Sequence, residues 1–165
     1  MSNIVYPVNG LKPNMIATKD QPGTQIDHGM LHDLVGHLLR HAFNRGQATF
    51  AEVFDGDGIT SLQFMILELI SRNPGISHSR ISRGVGAAPS VVTTTLKPLL
   101  VDGTIAVTPS TRDRRVICYH MTESGELWFK GLRPKIEACE DLFARGLNPD
   151  ERQELLRLLR ILSDI

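Results

Sequence analysis

Four charged residues crowd into one short stretch of the sequence. Within STRDRRVICYHMTESG, positions 110–125, Arg112, Arg114 and Arg115 surround Asp113, and apolar residues alternate directly afterwards. Alternation of this kind is typical of a half-buried strand, so we expect the charges at the tip of a β-hairpin. Guanidinium groups placed there can bind an anion such as the phosphate backbone of a nucleic acid. The aspartate would repel such an anion, so we expect it to hold one arginine in a bidentate pair.

The formal charges are unevenly distributed along the chain. The 165 residues carry 18 Lys and Arg against 18 Asp and Glu, which gives a net charge of zero. Residues 77–115 nevertheless carry a net charge of +4, whereas 1–76 and 116–165 each carry −2. A basic segment between mildly acidic flanks indicates a localised surface for an anionic partner.

Length and composition favour one globular domain of ordinary polarity. Hydrophobic residues make up 41% of the chain and charged residues 22%. Cys118 and Cys139 form neither a disulfide framework nor a zinc-binding CxxC pattern, so we expect free thiols. The start of the sequence lacks the pattern of a signal peptide, and the most apolar stretch, LQFMILELI, contains Glu68 and is too short to span a bilayer. We therefore expect a cytoplasmic protein without a membrane partner.

Hydrophobic periodicity predicts a mainly α-helical chain. Residues 1–25 contain scattered prolines and glycines without a sustained period, so we expect an N-terminal arm there. From Asp27 onward, apolar residues at three- and four-residue spacing predict one continuous first helix. Thr60, with Gln63 three positions later, predicts a capping box that opens a second helix. That helix is almost wholly apolar, so it should be central in the fold.

The basic middle of the sequence has the pattern of a helix-turn-helix followed by a hairpin. In ISHSRISRGVGAAPSVVTTTLKPLLVDGTI, a short helix after Ser77 ends at a Gly-x-Gly, and Pro89 opens a second helix. This second helix combines an apolar face with small polar side chains, as helices that read the DNA major groove do. TIAVT and RVICYHM then predict two strands joined by the charged loop. Thr122 opens a long helix to about Arg145, and Asn148 caps a leucine-rich final helix.

The order of these elements resembles that of the MarR family of winged helix-turn-helix transcription regulators. DRRVICYHMTESG is similar to the wing signature D-x-R followed by L-T-x-x-G, with Asp113, Arg115, Thr122 and Gly125 on the matching positions and Met121 in place of the leucine. ITSLQFMIL is similar to the L-T-x-x-Q-F entry into the second helix of the family. ISRGVGAAPSVVTTTLKPLLVDGTI resembles its helix-turn-helix without a gap. The likeness extends over about residues 27–163.

This resemblance implies a mainly α fold with a small β-wing, in which a winged helix-turn-helix domain is flanked by N- and C-terminal dimerisation helices. It implies an arm at 1–25 and a single domain at 26–165. Within that domain, 59–121 would form the winged helix-turn-helix, and 26–46 and 122–165 the dimerisation helices. The expected protein is a homodimeric repressor of a pseudo-palindromic operator, without a cofactor and without enzymatic activity.

The resemblance and the charge pattern together identify candidate DNA contacts. Short hydroxyl side chains of the second helix would read base edges, and one of the arginines Arg114 and Arg115 would enter a narrow minor groove. Pro98, inside this helix, is expected to bend it. The candidate DNA-binding residues are Arg80, Pro89, Ser90, Val91, Thr93, Thr94, Lys97, Arg112, Asp113, Arg114 and Arg115.

The family also implies a small effector that releases the protein from DNA. Cationic and imidazole side chains of the first helix suggest an anionic ligand, and the segment is similar to that of regulators of aromatic-acid breakdown. The expected effector is therefore an aromatic acid or its CoA thioester. The candidate ligand-binding residues are His32, His37, Arg40, His41 and Arg45.

Two alternatives remain open at this point. The first-helix histidines could sense a metal, but the nine residues from His28 to His37 would place the two H-x-x-x-H pairs on opposite flanks of one helix, and neither pair alone completes a zinc site. The second alternative is a winged-helix module that binds protein rather than DNA. An enzyme is not expected, because the sequence lacks G-x-S-x-G, P-loop, H-E-x-x-H and Gly-rich dinucleotide motifs.

Overall fold

A computed structural model describes residues 26–165, and the predicted arm at 1–25 lies outside the described residues. The predicted architecture, mainly helical with a small β-wing, is confirmed. The elements in chain order are a 3₁₀ helix (Gly29–Asp33), α1 (Val35–Val53), α2 (Ser61–Arg72), β1 (Ile76–Ser77), α3 (His78–Val85), α4 (Pro89–Val101), β2 (Ile105–Pro109), β3 (Ile117–Met121), α5 (Glu123–Phe143) and α6 (Pro149–Ser163).

The prediction of one continuous helix from Asp27 is wrong. The chain forms the 3₁₀ helix first, Leu34 is extended, and α1 begins only at Val35. Gly29 adopts a left-handed φ of +52°, and its N–H donates to the Asp27 carboxylate at 2.8 Å, so the side chain supports a turn where a helix was expected. At its other end α1 passes the predicted limit of residue 46 and reaches Val53.

This break also overturns the predicted separation of the histidines. The ring centroids of His28 and His37 lie 6.1 Å apart, and those of His28 and His32 lie 4.9 Å apart. His37 and His41 approach to 3.1 Å between their Nε2 atoms. The prediction assumed one straight helix, and the bend at Leu34 folds the first pair back towards the second. Within residues 26–165, no group of three or more His, Cys, Asp or Glu side chains is placed to hold a metal ion.

Helix α2 is central, as its apolar circumference predicts. Thr60 and Gln63 form the predicted capping box, and Ile66, Leu67 and Ile70 have no exposed surface. Phe129 of α5 is also fully buried, and its ring centroid lies 5.0 Å from that of Phe64 in α2. The core therefore joins the winged half of the chain to the long helix that leaves it.

The sheet has three antiparallel strands in the order β1-β3-β2. The predicted hairpin pairs Ile105 with Met121 and Val107 with Tyr119, while β1 adds Ile76 opposite Tyr119 on the other edge of β3. Strand β1 was not predicted, because two residues are too few to show an alternating pattern. It matters here because α3 starts at the next residue, so the sheet fixes the start of the helix-turn-helix.

The junction between the wing and α5 explains the spacing of Thr122 and Gly125. The Thr122 hydroxyl donates to the Gly103 carbonyl at 2.7 Å and accepts from the Gly125 N–H at 3.0 Å, so one side chain caps α5 and ties it to the hairpin. A Cβ on Gly125 would collide with the carbonyl oxygen of Thr104. The threonine and the glycine therefore bring the helix start into direct contact with the turn before β2.

Replacement of Gly125 by alanine is expected to destabilise the protein by about 2–4 kcal/mol, because backbone must shift to make room for the added methyl group. Gly131→Ala is the matched control in the same helix, since a Cβ there meets nothing within 4 Å. The control should be neutral or up to about 1 kcal/mol more stable, because alanine favours helix. Urea unfolding measures both, and a Gly125→Ala protein as stable as wild type would contradict this account of the junction.

Both helices that follow the wing start where the sequence predicts. Thr122 is the N-cap of α5, and Asn148 forms a capping box with Glu151 ahead of Pro149 at the first position of α6. Leu127 of α5 is apolar but 76% exposed. None of the helices in the described range is long and apolar enough to cross a membrane.

Candidate nucleic-acid interface and ligand cavity

Helix α4 buries one face and exposes the other. Val92, Leu96 and Leu99 pack into the core, whereas Leu100, which the pattern also places inward, is exposed. The helix is continuous from Pro89 to Val101 although Pro98 lies inside it. Its predicted DNA-contacting residues all lie on the exposed face: Pro89, Ser90, Val91, Thr93, Thr94 and Lys97.

The threonine hydroxyls of this face have their protons engaged within the helix. Thr93 donates to the Pro89 carbonyl at 2.9 Å, and Thr94 donates to the Ser90 carbonyl at 2.8 Å. A hydroxyl whose proton is used in this way still offers lone pairs outward. These two side chains are therefore presented to a partner as acceptors, which suits the amino groups of adenine and cytosine in the major groove.

The wing tip contains the ion pair that the sequence suggests. Arg115 donates to Asp113 through Nε at 3.1 Å and through Nη2 at 3.0 Å, while the Arg115 backbone N–H donates to the same carboxylate. The hydrogen bonds from Arg115 hold the pKa of the Asp113 carboxyl below its usual value. The Arg115 side chain is 90% exposed, so the pair orients a guanidinium that still faces solvent.

Two neighbouring cavities link the wing to the helix-turn-helix. The first, about 460 Å³, brings Arg80 of α3 and Arg112 of the wing together among the hydroxyls of Ser77, Thr108, Ser110 and Thr111. The second, about 470 Å³, is lined by His78 of α3, Thr93 of α4 and Arg115 of the wing, and we call it the reading cavity. Ser77 and Val116 line both. Helix α4, which we call the recognition helix, and the wing thus open onto one continuous surface. Arg114, next to Arg115 in the sequence, is exposed.

His78 is the residue at this surface that sequence reasoning missed. Its Nε2 lies 3.0 Å from Oγ1 of Thr93, so it contacts the exposed face of α4 directly. The only signal in the sequence is its position within the polar triplet SHS at the start of a short helix, which is too common to identify a site.

A separate apolar cavity of about 410 Å³ lies between α1, α2 and α5, with one residue of α6 at its rim. Its walls include Phe43, Phe50, Phe64, Ile136 and Phe143. Among its few polar groups, the Ser61 hydroxyl donates to the side-chain oxygen of Gln47. Cys139 also lines it, and burial, reinforced by Glu140, raises the pKa of this thiol, which therefore stays protonated. Such a cavity suits a flat apolar molecule.

The predicted ligand-binding residues lie beside this cavity rather than in its walls. His41 and Arg45 line an adjoining cavity of about 630 Å³, which shares Ala42, Phe143 and other residues with the apolar one. The Arg45 guanidinium carbon lies 6.0 Å from the Phe143 ring centroid. His32, His37 and Arg40 line neither of the two cavities.

Two helical faces carry exposed apolar side chains. The first runs from the 3₁₀ helix into α1, where Met30, Val35, Leu38 and Phe43 are each more than half exposed. The second is α6, which has no buried residue and exposes Ile161 at 67%. Exposed apolar side chains grouped in this way are typical of surfaces that bind another protein.

Comparison with known proteins agrees with this geometry. The MarR family model matches residues 59–117, from the residue before the α2 capping box to the first residue of β3. This segment contains α4 and, after it, the wing tip. The winged helix-turn-helix of this chain is therefore of the MarR type. The relatives that cover most of the chain are DNA-binding transcriptional regulators rather than enzymes.

Three relatives cover most of this chain. The transcriptional repressor NicR of Pseudomonas putida is 28% identical over 130 residues, which are 79% of this chain and 82% of NicR. BpsR of Bordetella bronchiseptica, whose DNA binding is regulated by 6-hydroxynicotinic acid, superposes with a TM-score of 0.77 at 27% identity, over 86% of this chain and 99% of BpsR. The repressor CouR, solved bound to a 23-mer DNA duplex, gives 0.76 at 26% identity, over 85% and 99% of the two chains.

Proposed function

We propose that this protein is a homodimeric transcriptional repressor that binds a pseudo-palindromic operator and is released by a small anionic aromatic effector. The observation that carries the DNA-binding part is the reading cavity, since Thr93 of the recognition helix and Arg115 of the wing line the same space. One duplex can then meet both elements at once, with α4 in the major groove and the wing tip in the neighbouring minor groove.

Charge and hydrogen bonding divide the contacts by role. Backbone phosphates are neutralised by Lys97 and by Arg80 and Arg112, which line one cavity. This neutralisation supplies affinity and makes DNA binding sensitive to salt. Ser90, Val91, Thr93 and Thr94 face base edges, and Pro89 sets the start of their helix. Arg115, held by Asp113, enters the minor groove, where narrow A·T-rich segments attract arginine, and Arg114 lies beside it.

A second copy of the chain is the occupant we assign to the exposed faces of α1 and α6. Both faces carry large aliphatic side chains, and neither is covered by another element of the described chain. A two-fold dimer would place two recognition helices about one DNA turn apart, so the operator should consist of two half-sites roughly 10 bp apart.

The effector site we assign spans the apolar cavity and the one adjoining it. An aromatic ring would occupy the space between α1, α2 and α5. The anionic group of the effector, which is the carboxylate of a free acid or a phosphate of a CoA thioester, would point towards His41 and Arg45. Glu140 lines both cavities, but Arg152 lies 3.8 Å from its carboxylate and reduces its repulsion of an anion. Regulation of the relative BpsR by an aromatic acid supports this ligand class.

Helix α5 gives the effector a route to the DNA-binding surface. Thr122 ties its first turn to the hairpin, whereas Cys139 and Phe143 near its other end line the apolar cavity. Midway, Arg133 donates to Glu68 of α2 at 2.8 Å. A ligand that prefers another placement of α5 would therefore move the wing relative to the core, and by linkage lower the affinity for DNA.

The direct test of this function is a titration of the protein against DNA from upstream of its own gene, repeated over a range of salt concentrations. We expect saturable binding that weakens steeply with salt, and release by a member of a panel of aromatic acids and their CoA thioesters. Binding no tighter than to scrambled DNA of equal length would contradict the regulator assignment and favour a protein-interaction module. Release by none of the compounds would remove the aromatic effector alone.

Within helix α1, Arg45→Ala is expected to raise the effector concentration needed for half-release about tenfold or more, because a carboxylate would lose its charged partner. Arg40→Ala is the matched control: it removes the same charge from the same helix but lies outside both cavities. Its half-release concentration should stay within about twofold of wild type. Equal effects of the two substitutions would contradict the placement of the anionic group.

A further inference from the structure

His78 stands where the recognition helix and the wing face each other. It is the first residue of α3 and follows β1 without a gap, so pairing of β1 with β3 fixes its backbone. Its half-buried side chain lines the reading cavity with Thr93 and Arg115. The ring centroid of Tyr119 in β3 lies 6.4 Å away on the inner side. The imidazole is therefore positioned to meet whatever enters this cavity.

The hydrogen bond to Thr93 sets the direction in which His78 donates. When the Thr93 hydroxyl donates its single proton to the Pro89 carbonyl, its oxygen accepts from the imidazole 3.0 Å away. In this arrangement Nε2 of His78 carries a proton. The other ring nitrogen, Nδ1, accepts hydrogen bonds when the ring is neutral and donates one when the ring is protonated.

The described lining of the reading cavity contains one guanidinium and no free anion. Arg115 of the wing lines the cavity together with His78, and its counter-ion Asp113 is already engaged by that guanidinium. Burial raises the pKa of Tyr119, so its phenol stays neutral. The other side chains lining the cavity are Ser77, Ser79, Thr93, Val116 and Ile117, none of which carries charge. A DNA phosphate would thus provide the anion that the described part of the cavity does not.

We propose that His78 is a DNA contact of this regulator with two roles. Through Nε2 it holds Thr93 in the orientation that faces the bases, and through protonated Nδ1 it donates to a backbone phosphate lying between α4 and the wing. Operator binding then takes up a proton at His78, so affinity rises as the pH falls from 8 to 6. This inference rests on the proposed function, because it requires DNA in the reading cavity.

The test compares operator affinity at pH 6 and pH 8 for wild type, His78→Gln and His28→Gln. Glutamine keeps a neutral N–H that can reach Thr93 but cannot be protonated, and His28 is a control imidazole remote from the cavity. We expect wild type and the control to tighten roughly three- to tenfold on going to pH 6. His78→Gln should lose most of this tightening between pH 8 and pH 6, whatever its affinity at pH 8.

The possible outcomes distinguish a failure of this inference from a failure of the proposed function. A wild type that binds the operator with the same affinity at both pH values, or a His78→Gln protein that tightens as wild type does, overturns the role of His78 and leaves the regulator assignment standing. A wild type that does not prefer the operator over scrambled DNA overturns the regulator assignment itself. A readout free of substitutions is the titration of the His78 ring by NMR, which should move to higher pH on DNA binding and would contradict the proposal if it stayed in place.

Discussion

Replacement of Ile161 by aspartate is expected to make the protein monomeric and to lower its operator affinity roughly 100-fold or more. Ile161 is 67% exposed in α6, so the substitution should leave the fold of a single chain intact. In the proposed dimer it would place a charge in an apolar interface that offers no partner. The affinity falls because a monomer holds only one half-site and loses the gain from simultaneous engagement of two.

Sedimentation of the variant and titration against the operator measure the two consequences together. Leu127→Asp is the control, since it places the same charge on an equally exposed leucine of α5, outside the two apolar faces. It should sediment and bind as wild type does. An Ile161→Asp protein that remains dimeric, or a monomer that binds the operator at full affinity, would show that the face of α6 does not join the subunits.

Replacement of Arg115 by alanine is expected to lower operator affinity by about ten- to hundredfold, because each half-site loses a guanidinium that the wing holds in place. The salt dependence should also become shallower, by about one released ion for each wing. Arg114→Ala should have the smaller effect of the two. Arg114 is exposed like Arg115, but no carboxylate orients it and it does not line the reading cavity within the described chain.

Asp113→Asn separates orientation of the arginine from its charge. This substitution increases the net positive charge of the wing, so a contact made by charge alone would strengthen. We expect weaker binding instead, because Arg115 loses the bidentate partner that fixes its direction. Tighter binding by Asp113→Asn, or equal losses for the two arginine variants, would assign the wing a purely electrostatic role.

Much of the fold follows from local signals in the sequence. The caps at Thr60 and Asn148 depend on residues three positions apart, so their outcome needs no knowledge of the rest of the molecule. The break at Leu34 was missed because apolar spacing continues across it. The sequence pattern also does not distinguish Leu127 from Phe129, because both are apolar. Only packing against α2 determines that Phe129 is buried and Leu127 is exposed.

The candidate site also contains contacts that the sequence predicts and contacts that it does not. The pair of Asp113 with Arg115 is predictable, because the two residues lie in one short turn and a carboxylate facing DNA would need a cation. His78 and Thr93 are 15 residues apart, and their contact arises only when β1 sets the start of α3. For the predicted ligand-binding residues, the sequence pattern and the structure differ most. Packing of α1 against α5 decides which face of α1 borders the cavities. His41 and Arg45 lie on that face, whereas His32, His37 and Arg40 line neither cavity.

A hydroxyl-radical footprint on the operator most directly tests the central claim that helix and wing engage one duplex. Wild type should protect two related half-sites about one helical turn apart, together with a flanking minor groove on each side. Arg115→Ala should lose only the flanking protection, at a protein concentration that keeps the half-sites occupied. A footprint of wild type without flanking protection, or one unchanged by the substitution, would contradict the claim.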